Sequence, residues 1–126
     1  MTIIGIGIDI LDIRRIDRLL QKFPIRFKNK IFAEEEIDSC MKRKGYISSF
    51  AKIFALKEAT IKAISNTHNL KWLDIKISND NNGKPLVNLS GYALKNVQSK
   101  ADKFAISASV SDEKNYAVAF VIIEKT

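Results

Sequence analysis

The sequence predicts an α+β fold in which a mostly antiparallel sheet packs with a long central helix. Five segments alternate apolar and polar residues as strands do, and the last two are joined by the short turn "SDEKN". Residues 48–65, "SSFAKIFALKEATIKAIS", carry the strongest helical periodicity. The 126 residues, 46% of them hydrophobic, suffice for one core, so a single domain over 1–126 is expected.

Residues 3–10 open the chain as a strand. Residues 13–23, "IRRIDRLLQKF", place Ile13, Ile16, Leu19, Leu20 and Phe23 at helical spacing. Asp12 is a fitting N-cap for that helix, and Pro24 ends it. A short helix over 34–43 has acids at its start and bases at its end, as the macrodipole prefers. Ser48 or Ser49 can cap the long helix, whose stripe is Phe50, Ile53, Phe54, Ile61 and Ile64. Strands over 72–78 and 84–89 flank "NDNNGK", a turn cluster containing Gly83. Ser90 can cap a helix over 90–100, and strands over 103–110 and 116–123 complete the order β-α-α-α-β-β-α-β-β. No repeat, linker or low-complexity segment interrupts it.

Composition narrows the function. The net charge of +7 favours an anionic partner without choosing one. A single cysteine, Cys40, excludes an internal disulfide and fits a reducing compartment. One histidine and one cysteine do not build an ordinary zinc site, whereas a hard divalent cation on carboxylates remains open. No stretch is long enough to span a bilayer, and the first apolar run lacks a basic n-region and a cleavage site. A cytoplasmic protein with no membrane partner is expected.

Three features stand out as candidate sites. Asp9 falls inside the apolar run "IIGIGIDILDI", on the strand face of Ile3, Gly5 and Gly7. Two readings stand side by side: Asp9 ends the strand, or the bare glycines leave room for backbone or ligand beside a working carboxylate. The third glycine of a dinucleotide fingerprint is missing from "GIGIDI". Glu58 and Lys62 lie four apart on one face of a greasy helix, either as a surface pair or as part of a site. Arg14, Arg15, Arg18 and Lys22 crowd the polar side of the first helix, with Arg26 just beyond and only Asp17 among them. That face is either plainly solvated or a dock for an acidic partner. His68 reads as a loop residue, and Trp72 and the phenylalanines read as core.

Taken together, "GIGIDILDIRRI", "IRFKNKIFAEEEID" with Glu36, and "FALKEATIKAI" resemble, in order and spacing, the blocks of the holo-acyl-carrier-protein synthases, the short bacterial 4′-phosphopantetheinyl transferases. The segments "WLDIKIS", "NGKPLVNLSGYA" and "YAVAFVIIE" extend the resemblance to about residue 124. It implies the 4′-phosphopantetheinyl transferase fold. It also implies transfer of the phosphopantetheine arm of coenzyme A to a serine of apo acyl carrier protein, for fatty acid biosynthesis, with adenosine 3′,5′-bisphosphate as the other product.

By the same resemblance, Asp9 and Glu58 hold Mg²⁺ against the diphosphate, and Lys62 joins them as a catalytic residue facing the phosphate oxygens. Lys57, Lys62, Gly83, Lys84 and Pro85 match positions near bound coenzyme A. Such chemistry is mostly positioning and charge neutralisation, which suits these residue types. The serine proton would pass to Glu58 or to a water on the metal. Arg15 matches the family's carrier-protein arginine, and Arg14, Arg18, Lys22 and Arg26 extend its patch. The family is trimeric, with sites at subunit junctions, so a homotrimer is expected.

Three positions depart from the pattern. Ile53, after Lys52, stands where an arginine is usual, Ala33 stands where Ser or Thr starts a helix, and Asp112 in "SVSD" replaces a histidine. An inactive relative kept for partner binding is one way to read Asp112. A basic module for RNA would use the arginine face, but it leaves Asp9 and Glu58 without a purpose.

Overall fold

A computed structural model describes residues 1–126. Strand β1 (Thr2–Asp12) is followed by helices α1 (Ile13–Lys22), α2 (Arg26–Ile31), α3 (Glu34–Met41) and α4 (Tyr46–Ile64). A 3₁₀ turn at Trp72–Asp74 leads into β2 (Ile75–Asn79) and β3 (Pro85–Leu89), then α5 (Gly91–Gln98), β4 (Phe104–Asp112) and β5 (Tyr116–Lys125). All strand pairs are antiparallel, in two sheets: β1-β5-β4 and the hairpin β2-β3.

Helix α4 is the centre of the packing. Ala51, Ala55, Ala59 and Ala63 recur every four residues on one side of it, and all are buried. That smooth ridge lies against the glycines of β1. A Cβ at Gly7 would overlap the Ala59 carbonyl oxygen, and one at Gly5 would overlap that of Ala63. The glycines therefore admit a helix backbone, and the space expected beside them for a ligand is filled by α4. A bulge between Ile3 and Gly5 also breaks the expected face. Ile3 turns outward while Ile4 packs on the core.

The other side of α4 buries Phe50 against Phe32, ring centroids 4.9 Å apart. Phe54 stacks on Trp72 at 5.2 Å. Each such side chain contributes roughly 1.5–3 kcal/mol by leaving water.

Several boundaries differ from the sequence reading. Helix α2 is additional: six residues are too few to show a period. Helix α4 starts at Tyr46 behind Gly45, and Ser48 Oγ donates to the Gly45 carbonyl instead of capping. Lys42 takes the C-cap of α3 and Arg43 follows it, so the bases flank that helix end. Trp72 sits in the 3₁₀ turn, not in a strand. Asp12 does cap α1, accepting from Arg14 N at 3.0 Å. Ser90 precedes α5, but its hydroxyl lies 3.4 Å from the Asp74 carbonyl and makes no cap bond.

The outer face of the three-stranded sheet is apolar and open. Ile6, Ile8 and Ile10 of β1 and Val118 and Phe120 of β5 are exposed there, in register with one another. No helix is long and apolar enough to cross a membrane.

Candidate active site

Strand β1 and helix α4 bring three of the expected residues together. Lys62 Nζ donates to the Ile8 carbonyl at 2.8 Å and lies 3.4 Å from Asp9 Oδ1. The Asp9 side chain is only 14% exposed, while that of Lys62 is 53% exposed. Glu58 stands one helical turn before Lys62 on the same face. Burial, and next the neighbouring Asp9 carboxylate, push the Glu58 carboxyl above its ordinary range, while Lys62 and Arg15 pull it back. Two carboxylates near enough to repel, in a partly desolvated corner, gain from a hard cation between them. No cluster of three or more His, Cys, Asp or Glu could hold a metal by itself. The pair nevertheless fits Mg²⁺, which usually takes one or two carboxylates and leaves its other positions to water and phosphate.

A second feature lies at the β4 edge. A cleft of about 270 Å³ is lined by Gly83 and Pro85 of the hairpin, Arg43, Val110, and Ser49 and Lys52 of α4. Lys84 is exposed on the adjoining turn, its backbone N–H donating to Asp80 at 2.9 Å. Gly83 is required there by its φ of +82°. The cleft carries two cations, Arg43 and Lys52, and no carboxylate among its lining residues. Arg43 escapes notice in the sequence because the run "KRKG" reads as a solvated connection.

Helix phase separates the two features. At 100° per residue, Ser49, Lys52, Ile53 and Leu56 share one side of α4. Phe54, Glu58 and Lys62 fall on the opposite side. Asp9 likewise lies on β1, at the far edge of the sheet from β4.

Lys57 does not line either feature. Its ammonium is fully buried, 2.7 Å from Glu36 and 2.8 Å from the Ile31 carbonyl it donates to. Its place in the helix, one residue before Glu58, turns it about 100° away toward α3. The expected contact of Lys57 with a nucleotide is corrected accordingly: this lysine supports the helix that carries Glu58.

The basic face of α1 is present, with one qualification in its charge. Arg14 is tied to Asp12 by two bonds, at 2.9 and 2.8 Å, and holds that carboxyl down to about 2. Arg15 spreads over the Phe54 ring at 5.7 Å, which places it beside Glu58. Arg15, Arg18, Lys22 and Arg26 make no intramolecular ion pair. The exposed side chains of Phe23 and Ile25 follow α1.

Residues 5–121 match the model of the 4′-phosphopantetheinyl transferase superfamily. The chain belongs to that superfamily. A holo-acyl-carrier-protein synthase from Alkaliphilus metalliredigens is 43% identical over 119 residues, covering 94% of this chain and 96% of its own. The crystal structure of such a synthase from Neisseria meningitidis aligns with a TM-score of 0.86 at 35% identity, over 98% of this chain and 100% of that one. A Helicobacter pylori synthase solved in complex with coenzyme A aligns at 0.81 and 36% identity, over 94% and 99% of the two chains. The α+β fold expected from the sequence is thus the superfamily's fold.

Two departures from the superfamily pattern have a local explanation. Ala33 has no hydroxyl to accept from the first turn of α3, and the helix start keeps only the reciprocal bond, in which the Ala33 N–H donates to Glu36 Oε1 at 2.7 Å. With Ile53 in place of an arginine, the cleft still receives a cation from Lys52, one residue earlier.

Proposed function

We propose that this transferase moves 4′-phosphopantetheine from coenzyme A to a serine of apo acyl carrier protein, as a step supporting fatty acid biosynthesis. The observation that carries the reading is the Asp9–Glu58 carboxylate pair with Lys62 beside it. Asp9 and Glu58 would hold Mg²⁺, which supplies charge neutralisation on the diphosphate.

The chain's own residues do the positioning. The Ile8 carbonyl fixes the Lys62 ammonium, so its charge is already aimed beside Asp9 and is available to phosphate oxygens. The serine oxygen bonds to the phosphorus that bears pantetheine and gives its proton to Glu58 or to a water at the site. The bond from that phosphorus to the bridging oxygen breaks, and adenosine 3′,5′-bisphosphate departs with that oxygen. The cleft at Gly83 and Pro85, with Lys84 on its turn, receives the nucleotide end. The cations of α1, led by Arg15, meet the acidic carrier protein.

Completion of the site calls for a second copy. The carboxylate pair and the cationic cleft occupy opposite sides of α4, so one coenzyme A spans two protomers. The open isoleucine face of β1 and β5 is apolar surface that copies of the chain would cover, and a homotrimer closes the arrangement. The cytoplasm, where coenzyme A and reduced Cys40 coexist, is the matching compartment.

Coenzyme A, Mg²⁺ and apo acyl carrier protein incubated with the enzyme should give a carrier whose mass rises by one phosphopantetheine. No gain at any metal concentration rejects the reading. Asp9→Ala and Glu58→Ala should each nearly abolish the gain with circular dichroism unchanged. A near-normal rate in either variant would sink its role as a ligand.

A further inference from the structure

Asp112 ends β4 two residues beyond Val110, which lines the cationic cleft. Residues two apart on a strand share a face, so the carboxylate stands at the rim of that cleft. Its Oδ1 lies 3.8 Å from Lys52 Nζ, one of the cleft's two cations. The contact is a loose ion pair: no hydrogen bond joins the two groups, and the side chains remain 30% and 36% exposed. Every other intramolecular ion pair in the chain is closer, from 2.7 to 3.4 Å. A pair held this weakly contributes little to stability. Its effect falls on what the cation can bind.

We propose that Asp112 is a specificity-determining residue that competes with the nucleotide's phosphate for Lys52 and so weakens the hold of the cleft on the donor and on the released bisphosphate. The inference rests on the proposed transfer from coenzyme A. A phosphate brings more charge and more acceptor oxygens than one carboxylate, so it displaces Asp112 from a contact of 3.8 Å. Displacement leaves Asp112 unpaired beside the incoming anion, and that repulsion acts in the same direction. Arg43 has no carboxylate partner, so it holds the phosphate without such a competitor.

The test is a double-mutant cycle on the full-length enzyme, read as the Kd for adenosine 3′,5′-bisphosphate by titration calorimetry. Asp112→Asn keeps the shape and removes the charge. It should tighten binding about threefold to fivefold, the size of one exposed ion pair. In a Lys52→Gln background the same change should tighten binding less than about twofold. The KM for coenzyme A should fall with the Kd in Asp112→Asn, while salt should weaken binding more steeply than in wild type. Unchanged or weaker binding in Asp112→Asn overturns the proposal, and so does an equal gain with and without Lys52. If the wild-type enzyme transfers from coenzyme A and Asp112→Asn changes nothing, only this inference fails. If wild type neither binds the bisphosphate nor transfers, the proposed function fails with it.

Discussion

The Lys57 ammonium lies 2.7 Å from the Glu36 carboxylate, and neither side chain is exposed to solvent. Glu36 also accepts from Ala33 N at 2.7 Å and Ile77 N at 2.8 Å, while Lys57 donates to the Ile31 carbonyl at 2.8 Å. The pair therefore ties α2, α3, β2 and α4 at one point. Burial lowers the pKa of Lys57, and the Glu36 partner pushes it back up. Removing one member of such a pair typically costs about 3–5 kcal/mol. Glu36→Leu should lie at or above that range in urea unfolding, because it strands an ammonium and two N–H groups. Lys57→Met should cost less, since Glu36 keeps two backbone donors. The reverse order would show that the ammonium, not the carboxylate, organises the junction.

Glu58 makes a pH prediction with a definite sign. Its carboxyl is held above the ordinary value of 4.5 by burial and by Asp9. The fold therefore favours the protonated form. The associated stability is complete below the unfolded value and is lost as pH rises through the folded one. Glu58→Gln copies the protonated form, so in chelator at pH 7 it should melt above wild type. The gap should close toward pH 4, and added Mg²⁺ should raise the melting temperature of wild type alone. A gap that widens on acidification contradicts the assigned cause.

Gly7→Ala tests the approach of β1 to α4. The new methyl group would strike the Ala59 carbonyl oxygen, which belongs to a rigid helix and cannot swing aside. Overpacking of this kind costs on the order of 1–3 kcal/mol or more. It also lifts Asp9 away from Glu58, so activity should fall further than stability alone explains. Transfer rates measured well below the variant's melting temperature separate the two losses.

Arg15→Glu should weaken binding of acyl carrier protein more than binding of coenzyme A. The wild-type association rate with the carrier should drop with added salt, as it does for exposed steering charges. Stopped-flow association and coenzyme A titration on the same variant give both numbers. Equal losses for the two ligands would remove α1 from the carrier dock.

How much of this was legible in the residues depends on the reach of each signal. Asp12 as a cap and Gly83 in its turn follow from local chemistry, and both are found there. The closeness of Asp9 to Lys62 joins residues 53 apart, and the sequence motif, not periodicity, foretold it. The glycines at 5 and 7 leave room for backbone or ligand in the sequence, and only the third dimension shows that α4 takes the space. Lys57 and Glu58 are neighbours in a charged run, yet one is sealed and the other borders the site. Helix phase alone could not tell which side of so apolar a helix faces inward. The α2 turn and the Lys52–Asp112 contact left no pattern, because the first is too short and the second depends on where β4 ends.

The placement of Glu58 on one side of α4, and of the cleft that holds Arg43 against the other, has a genetic consequence. A subunit ruined at the carboxylates still presents a sound nucleotide cleft, and one reversed in charge at Arg43 still presents sound carboxylates. In the proposed trimer, two alleles that are each inactive alone would rescue one another in a mixed assembly, at those junctions where the intact halves meet. Dominance and complementation in this enzyme would then follow from the pitch of an α-helix.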